Sequence, residues 1–317
     1  MAIVKYLFER DRKPRRGLLW AEWVVVGYTV LTLALILFTW TKQPNPAPML
    51  WGRFQATVSM LALWGVYRML PCRLTMFCRV LLQVAMLSWW YPDTYALNRI
   101  FPNLDHHFAA IEQSVFGCQP AVLFCERWTS PVWSELMYMS YSSYFLLIVL
   151  TTLHYFFHRY AEFQRMAFVL LGSFFLFYVV FIALPVTGPQ YYYLAAGLDN
   201  IRQGVFPNVG DYFMTHDEMM TMPGYSGGWF YQFMEQAHAT GERPTAAFPS
   251  SHVGVTTVLL LLALRSRSRS LQWVVGTLLV LMCLSTVYIR AHYAIDVIAG
   301  LASGVMLYYA LSLVYKA

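Results

Sequence analysis

Long apolar runs separated by polar segments dominate the pattern of this chain. Eight runs approach the roughly 20 residues that a helix needs to cross a bilayer, and each predicts a membrane helix. The sixth run is short, so we expect its helix to extend into the loop before it. The predicted spans are 18–40, 54–70, 75–90, 132–156, 166–185, 251–264, 271–289 and 293–315.

The composition agrees with a protein whose solvent is a bilayer. The chain is 58% hydrophobic and only 12% charged, whereas soluble domains are about 25% charged. Trp and Tyr, which favour membrane interfaces, contribute to an aromatic content of 17%. We therefore predict an all-α polytopic membrane protein of about eight transmembrane helices.

The positions of the basic residues predict the orientation and explain the net charge of +6. With the N-terminus inside, most of the 22 Lys and Arg residues fall in inner segments, as the positive-inside rule requires. Both termini are then cytoplasmic, and nucleic acid is not an expected partner. The first apolar run is too long for a signal peptide and is expected to stay as a span. A bacterial inner membrane or a secretory-pathway membrane fits this topology.

Two long segments, 91–131 and 186–250, are predicted on the outer side. Loops of this length are usually functional or disordered, and the aromatic content of the second argues against disorder. Cys118 and Cys125 lie in the first segment. They could form a disulfide in an oxidising compartment, or they could both be free thiols.

Ionisable residues near the start of the eighth span point to chemistry, because such groups are expensive in a membrane. His292 and Asp296 are four residues apart, so a helix places them on one face. The carboxylate could accept a hydrogen bond from one imidazole nitrogen and leave the other as a nucleophile. Arg290 lies two residues earlier, and its planar guanidinium suits phosphate oxygens.

The sixth span begins with a second group of candidate residues, Ser250, Ser251 and His252, directly after Pro249. Backbone N–H groups at a helix start lack internal acceptors and form a natural phosphate site. By the predicted topology, this helix start and the segment 290–296 lie on the same outer face. A single histidine at a span end is usually an interfacial polar residue, but this combination on one face favours a catalytic site.

The segments 248–254 and 285–300 resemble the second and third motifs of the type 2 phosphatidic acid phosphatase (PAP2) superfamily. Those motifs read Pro-Ser-(Gly or Ser)-His and Ser-Arg-x5-His-x3-Asp. The superfamily includes lipid phosphate phosphatases and lipid phosphotransferases such as inositol phosphorylceramide synthases. The resemblance implies a core of six helices, here residues 75–317, preceded by a basic segment and two helices in residues 1–74.

The resemblance also implies roles for the candidate residues. His292 would attack phosphorus, Asp296 would orient it, and His252 would protonate the leaving alcohol and then activate the acceptor. Ser250, Ser251 and Arg290 would hold the phosphoryl oxygens.

Two departures from the family pattern concern the cationic residues. Ser285-Thr286 stands where the family has Ser-Arg, so Arg290 is the candidate replacement. The first motif, Lys-x6-Arg-Pro, is not present as such. Gln190 and Arg243 are the weaker candidates for its phosphate-binding role.

Three functions follow from these residues. The first is hydrolysis of a lipid phosphate or diphosphate at the outer membrane face through a phosphohistidine. The second is phosphotransfer to a lipid or sugar alcohol. The third is lipid binding by a catalytically weakened site, which the missing arginine motivates. The substrate would be a phospholipid, isoprenoid or sphingolipid phosphate in the bilayer, and no metal or other cofactor is implied.

Overall fold

A computed structural model describes residues 2–43, 45–239 and 243–315. The regular structure of these residues is helical, which confirms the all-α class. The α-helices are α1 Ala2–Leu7, α2 Trp20–Phe38, α3 Pro46–Met69, α4 Arg73–Ala85, α5 Leu87–Asn98, α6 Asp105–Phe116, α7 Pro120–Arg127, α8 Pro131–His158, α9 Phe163–Ala183, α10 Pro189–Ala196, α11 Leu198–Arg202, α12 Trp229–Ala239, α13 Ser251–Ser266, α14 Arg269–Tyr288 and α15 Ala294–Val314.

All eight predicted spans coincide with helices, and six of them are long and apolar enough to cross a membrane. These six are Trp20–Phe38, Arg73–Asn98, Pro131–His158, Tyr160–Ala183, Arg269–Tyr288 and Ala294–Val314. The other two are α3, which is 24 residues long but less apolar, and α13, which has 16 residues. The chain is therefore an integral membrane protein with six helices that can cross a membrane among the described residues, or seven if the bent pair α6 and α7 forms one span.

The second and third spans are longer than predicted, and one ion pair explains both differences. Arg53 and Asp93 each border a predicted apolar run, and charged residues usually end a span. In the structure α3 begins before Arg53 and α5 continues past Asp93, because the two side chains form a buried salt bridge of 2.6 Å. Their charges are thus paired inside the bundle.

The helix of the sixth predicted span, α13, does not extend into the preceding loop, contrary to our expectation. Ser250 ends the non-helical segment and caps α13, since its hydroxyl accepts a hydrogen bond from the backbone N–H of Val253 at 3.4 Å. A serine at this position satisfies one of the N–H groups that a helix start leaves unpaired. The helix therefore begins at Ser251 and places His252 in its first turn.

The centre of the bundle is α9. The span that contains it is 78% buried, against 22–50% for the other five candidate spans. It packs against α2, α5, α8, α13 and α15. Since α2 belongs to residues 1–74, the N-terminal helices pack directly on the predicted catalytic bundle.

Glycines bring α13 and α15 into close contact. A Cβ added to Gly300 would lie 2.7 Å from the carbonyl oxygen of Ser250, and one added to Gly304 would lie 2.4 Å from that of Gly254. Only glycine permits such an approach, and small residues serve the same purpose in other membrane helix pairs. The starts of both helices are therefore held side by side at one end of the bundle.

The two long segments between spans are ordered by short helices. The first contains α6 and α7, which meet at a bend of 67°, and the second contains α10, α11 and α12. Cys118 and Cys125 are both free, and the buried thiol of Cys125 donates to the carbonyl oxygen of Ala121 at 3.2 Å. Of the two alternatives for these cysteines, the structure has the free thiols.

Candidate functional site

His252 lies in the first turn of α13, between two tyrosines of α8. Its ring centroid is 4.5 Å from that of Tyr141, with nearly parallel planes, and 4.5 Å from that of Tyr144. The Nδ1 atom is buried and makes no hydrogen bond with the part of the chain that the structure describes. Aromatic packing therefore sets the orientation of this ring and leaves Nδ1 without a hydrogen-bond partner among the described residues.

His292 lies in the short turn between α14 and α15 and is held at two points. Its backbone N–H donates to the carbonyl oxygen of Thr286 at 3.0 Å. Its ring Nδ1 lies 2.8 Å from the carbonyl oxygen of Ala247, in the segment that leads to α13. A carbonyl oxygen can only accept, so Nδ1 carries the proton and Nε2 carries the lone pair of the neutral ring.

Asp296 contacts the same elements but does not make the hydrogen bond that we expected. Its Oδ2 lies 3.6 Å from Nδ1 of His292, beyond hydrogen-bond distance, and accepts from the backbone N–H of Tyr293 at 2.8 Å. Its backbone carbonyl accepts from the N–H of Ser250 at 3.0 Å. The carboxylate is fully buried. Asp296 thus caps α15, joins it to the start of α13, and places its carboxyl group beside the imidazole.

The structure brings the two histidines together although 39 residues separate them in the sequence. Their ring centroids are 5.7 Å apart, and the planes are inclined at 64°. The close packing of α13 and α15 produces this approach. Both rings can therefore reach one phosphate group and its leaving oxygen.

Arg290 has a left-handed backbone conformation, with φ of 64°, in the turn before His292. Such a conformation is uncommon for a residue other than glycine, asparagine or aspartate. The side chain is only 9% exposed and forms no ion pair with a described residue. Its Nη1 lies 4.0 Å from the sulfur of Met220, and its Nε makes no hydrogen bond within residues 2–43, 45–239 and 243–315. A buried guanidinium without a carboxylate partner can accept an anionic ligand.

The weaker candidates occupy two different environments. Gln190 donates its backbone N–H to the carbonyl oxygen of Arg290 at 2.8 Å and accepts from the N–H of Met220 at 2.9 Å. Its backbone therefore lies beside Arg290 and Met220. Arg243, in contrast, is about half exposed and forms an ion pair with Asp217. Its charge is already paired.

Thr286, which stands where the family motif has arginine, is buried in the last turns of α14. Thr286 is fully buried, and its hydroxyl donates to the carbonyl oxygen of Met282 at 2.9 Å. Its backbone carbonyl holds His292, as described above. The residue contributes to the position of the histidine and brings no charge to the site.

Our sequence reasoning missed the carbonyl of Ala247 and the tyrosines around His252. A backbone carbonyl has no signature in the sequence, so the Ala247 contact could not be anticipated. Tyr141 and Tyr144 do have one: they are three residues apart, which places them on one face of α8. Among the described residues, no group of three or more His, Cys, Asp or Glu side chains is arranged to hold a metal ion.

Comparison with known proteins gives one match. A family model described as the PAP2 superfamily matches residues 106–310. That range contains His252, His292 and Asp296, and it covers α7–α14 and most of α6 and α15. No curated protein and no solved structure matches significantly.

Proposed function

The chain belongs to the PAP2 superfamily, and we propose that it hydrolyses a membrane lipid phosphate or diphosphate through a phosphohistidine at His292. Membership supports phosphatase-type chemistry on lipid phosphates in general. The observation that carries the finer proposal is the 5.7 Å separation of the His252 and His292 rings. At this separation His292 can attack phosphorus while His252 protonates the leaving oxygen of the same phosphorus–oxygen bond.

The nucleophile in this proposal is Nε2 of His292. Because Nδ1 donates to Ala247 at 2.8 Å, the lone pair is on Nε2. Its attack forms the N–P bond, breaks the P–O bond to the lipid, and leaves positive charge on the imidazole. The carboxylate of Asp296, 3.6 Å from Nδ1, stabilises that charge electrostatically.

His252 acts as the general acid and then as the general base. In the first step it gives a proton to the alkoxide of the departing lipid alcohol. In the second step it takes a proton from water, which attacks phosphorus as the P–N bond breaks. Inorganic phosphate leaves, and both histidines return to their starting protonation states. Such positioned proton transfers contribute about 10²–10⁴-fold to rate.

Arg290 and the start of α13 bind the phosphoryl oxygens. The guanidinium is buried and has no ion-pair partner among the described residues, so a phosphate could supply the missing negative charge. First-turn N–H groups, here those of Ser251 and His252, lack intrahelical acceptors and favour anions. Charge stabilisation of this kind is the main catalytic task in phosphoryl transfer.

A lipid phosphotransferase is the second candidate, and the packing of segment 186–250 favours it. The hydroxyl of Tyr138 donates to the carbonyl oxygen of Pro223 at 2.6 Å, and Glu135 accepts from the backbone N–H of Phe230 at 3.0 Å. Met220 of the same segment contacts Arg290. An ordered cover over the phosphate-binding arginine limits water and favours a bound alcohol as acceptor.

The test is phosphate release by detergent-purified protein from a panel of lipid phosphates, with EDTA present because this route needs no metal. His292→Ala is the inactive variant. His216→Ala, which alters an exposed loop histidine, is the matched control. Free phosphate that disappears only with His292→Ala supports the hydrolase. A new phospholipid that forms only with an added alcohol supports the transferase instead. Lipid binding without turnover in every reaction contradicts both and favours the weakened binding protein.

A further inference from the structure

Helix α6 carries two fully buried carboxylates, Asp105 and Glu112, that the proposed reaction does not use. They are seven residues apart, which is two helical turns, so they lie on the same face of α6. Neither forms an ion pair with a described residue. Buried carboxylates are rare without a partner because desolvation is expensive. The groups that donate hydrogen bonds to Asp105 and Glu112 therefore indicate which segments these carboxylates hold in place.

Asp105 binds both segments that enclose His292. Its Oδ2 accepts from the backbone N–H of Thr187 at 2.7 Å, and its Oδ1 accepts from that of Gly188 at 2.9 Å. The same Oδ1 accepts from the hydroxyl of Tyr293 at 3.0 Å. One carboxylate thus joins the residue after His292 to the segment that precedes α10.

Gly188 extends this connection to the turn that holds the nucleophile. A Cβ added to Gly188 would lie 2.6 Å from the carbonyl oxygen of Ala291, so these backbones are in direct contact. The φ of Gly188, 91°, also requires glycine. Displacing Asp105 would therefore release both sides of the turn that contains His292.

Glu112 binds the other end of the same segment. Its Oε2 accepts from the backbone N–H of Ile295 at 3.1 Å, in the first turn of α15. Asp296 takes the N–H of Tyr293 in that turn. Glu112 and Asp296 thus accept hydrogen bonds from N–H groups that the start of α15 leaves without intrahelical acceptors.

We propose that Asp105 and Glu112 are positioning residues for the phosphorylation of His292, an inference that rests on the proposed function. Asp105 fixes Tyr293 through its hydroxyl, and Glu112 fixes Ile295 through its backbone. With residues 293 and 295 held by α6, Asp296 keeps its place 3.6 Å from Nδ1 of His292. The segment 91–131 is then part of the catalytic apparatus although the proposed reaction uses none of its side chains.

The test compares Glu112→Gln with Glu112→Leu. The amide oxygen of glutamine can still accept from Ile295, whereas leucine has a similar size and no acceptor. Two control variants remove a carboxylate elsewhere. Glu126→Gln alters an exposed carboxylate of α7 that pairs with Arg202. Asp93→Asn alters a buried one that pairs with Arg53.

Two quantities are measured for each variant. The first is hydrogen exchange of the peptide that covers residues 290–298, which reports the helix start without any substrate. The second is single-turnover phosphorylation with alkaline quenching, where the amplitude gives the fraction of active sites and the rate constant gives the chemistry at each site. A residue needed only for folding lowers the amplitude and leaves the rate constant unchanged.

With Glu112→Leu we expect about tenfold faster exchange in this peptide, from the loss of one buried hydrogen bond. The rate constant per active site should fall about 10–100-fold, since small displacements of a reacting group have effects of that size. Glu112→Gln should stay within about threefold of wild type in both, as an acceptor is retained. Glu126→Gln and Asp93→Asn should leave the per-site rate constant unchanged.

Unchanged exchange with Glu112→Leu would overturn the proposal, and so would a lower amplitude at an unchanged rate constant. If wild-type protein forms no phosphoenzyme, the proposed function fails. The exchange data then still decide whether Glu112 holds the start of α15. Asp105→Asn should increase exchange in the peptides around both residue 188 and residue 293, whereas Glu112→Leu should affect only the latter.

Discussion

The imidazole Nδ1 of His292 donates to the carbonyl oxygen of Ala247 at 2.8 Å, while the carboxylate of Asp296 stays 3.6 Å away. The carbonyl defines the tautomer, because it can only accept a hydrogen bond. The carboxylate therefore contributes mainly its charge and the cap of α15. This division of roles between a backbone group and a side chain leads to the first prediction.

Asp296→Asn should lower kcat without disturbing the tautomer of His292. Asparagine retains an oxygen that can accept from the N–H of Tyr293, but the charge that stabilises the imidazolium is lost. We expect a fall in kcat of about 10²-fold, in the range seen when one preorganised electrostatic group is removed. Steady-state kinetics on the best lipid phosphate will measure it. Asp199→Asn, an exposed aspartate of α11, is the matched control, and an equal loss in both variants would contradict the assignment.

His252→Ala should be sensitive to the leaving group of the substrate. A lipid alcohol needs a proton from His252 as it departs, whereas an activated phenol does not. The loss in phosphorylation rate should be about 10²–10⁴-fold with the lipid phosphate and much smaller with an aryl phosphate. Single-turnover rates with both substrates will test this difference. Equal losses would show that His252 has another role.

Arg290→Asn should weaken phosphate binding while preserving the backbone. Asparagine adopts the left-handed conformation of this position more easily than most residues, so the effect reports the lost charge. We expect kcat/KM to fall about 10²-fold, as for the loss of a charge-assisted contact of 1.5–3 kcal/mol. Arg267→Asn is the control, because Arg267 also has a positive φ, of 58°, but lies exposed at the end of α13. It should retain wild-type kinetics.

Gly300→Ala should separate α13 from α15 and reduce activity. The added methyl group would lie 2.7 Å from the carbonyl oxygen of Ser250, a rigid backbone atom. Overpacking of this kind destabilises by about 1–3 kcal/mol, and it displaces His252 from His292. Gly276→Ala is the matched change in α14, where the methyl group would lie at an ordinary van der Waals distance of 3.7 Å from Leu260. The unfolding temperature and kcat should both fall for Gly300→Ala, whereas both should be unchanged for Gly276→Ala.

The Arg53–Asp93 pair should behave as a buried ion pair between α3 and α5. Asp93→Leu leaves the guanidinium of Arg53 unpaired, and the free energy of unfolding should fall by about 3–5 kcal/mol. Arg53→Met combined with Asp93→Leu removes both charges and should recover most of that loss. Denaturation of the single and double variants in detergent measures the coupling. Additive losses would mean that the 2.6 Å contact does not stabilise the bundle.

The helical membrane class could be predicted from the sequence because its signals are local. A long apolar run needs only its own backbone hydrogen bonds to cross a bilayer. The spacing of His292 and Asp296 likewise predicts that the two side chains lie close together, although His292 lies in the turn before α15 and not in the helix. The predicted topology placed the start of the sixth span and the segment 290–296 on one membrane face, and the resemblance to a family whose motifs they match assigned them to one site.

What the tertiary structure decided depends on partners that are distant in the chain. The ends of α3 and α5 required the contact between Arg53 and Asp93, since neither charge is tolerated in a membrane alone. The tautomer of His292 required the carbonyl of Ala247, which no side-chain pattern reveals. The contacts of the buried carboxylates of α6 required N–H and O–H donors from segments distant in the sequence. Local sequence patterns thus define the helices and the reactive groups, whereas packing between distant segments places those groups and sets their hydrogen bonds.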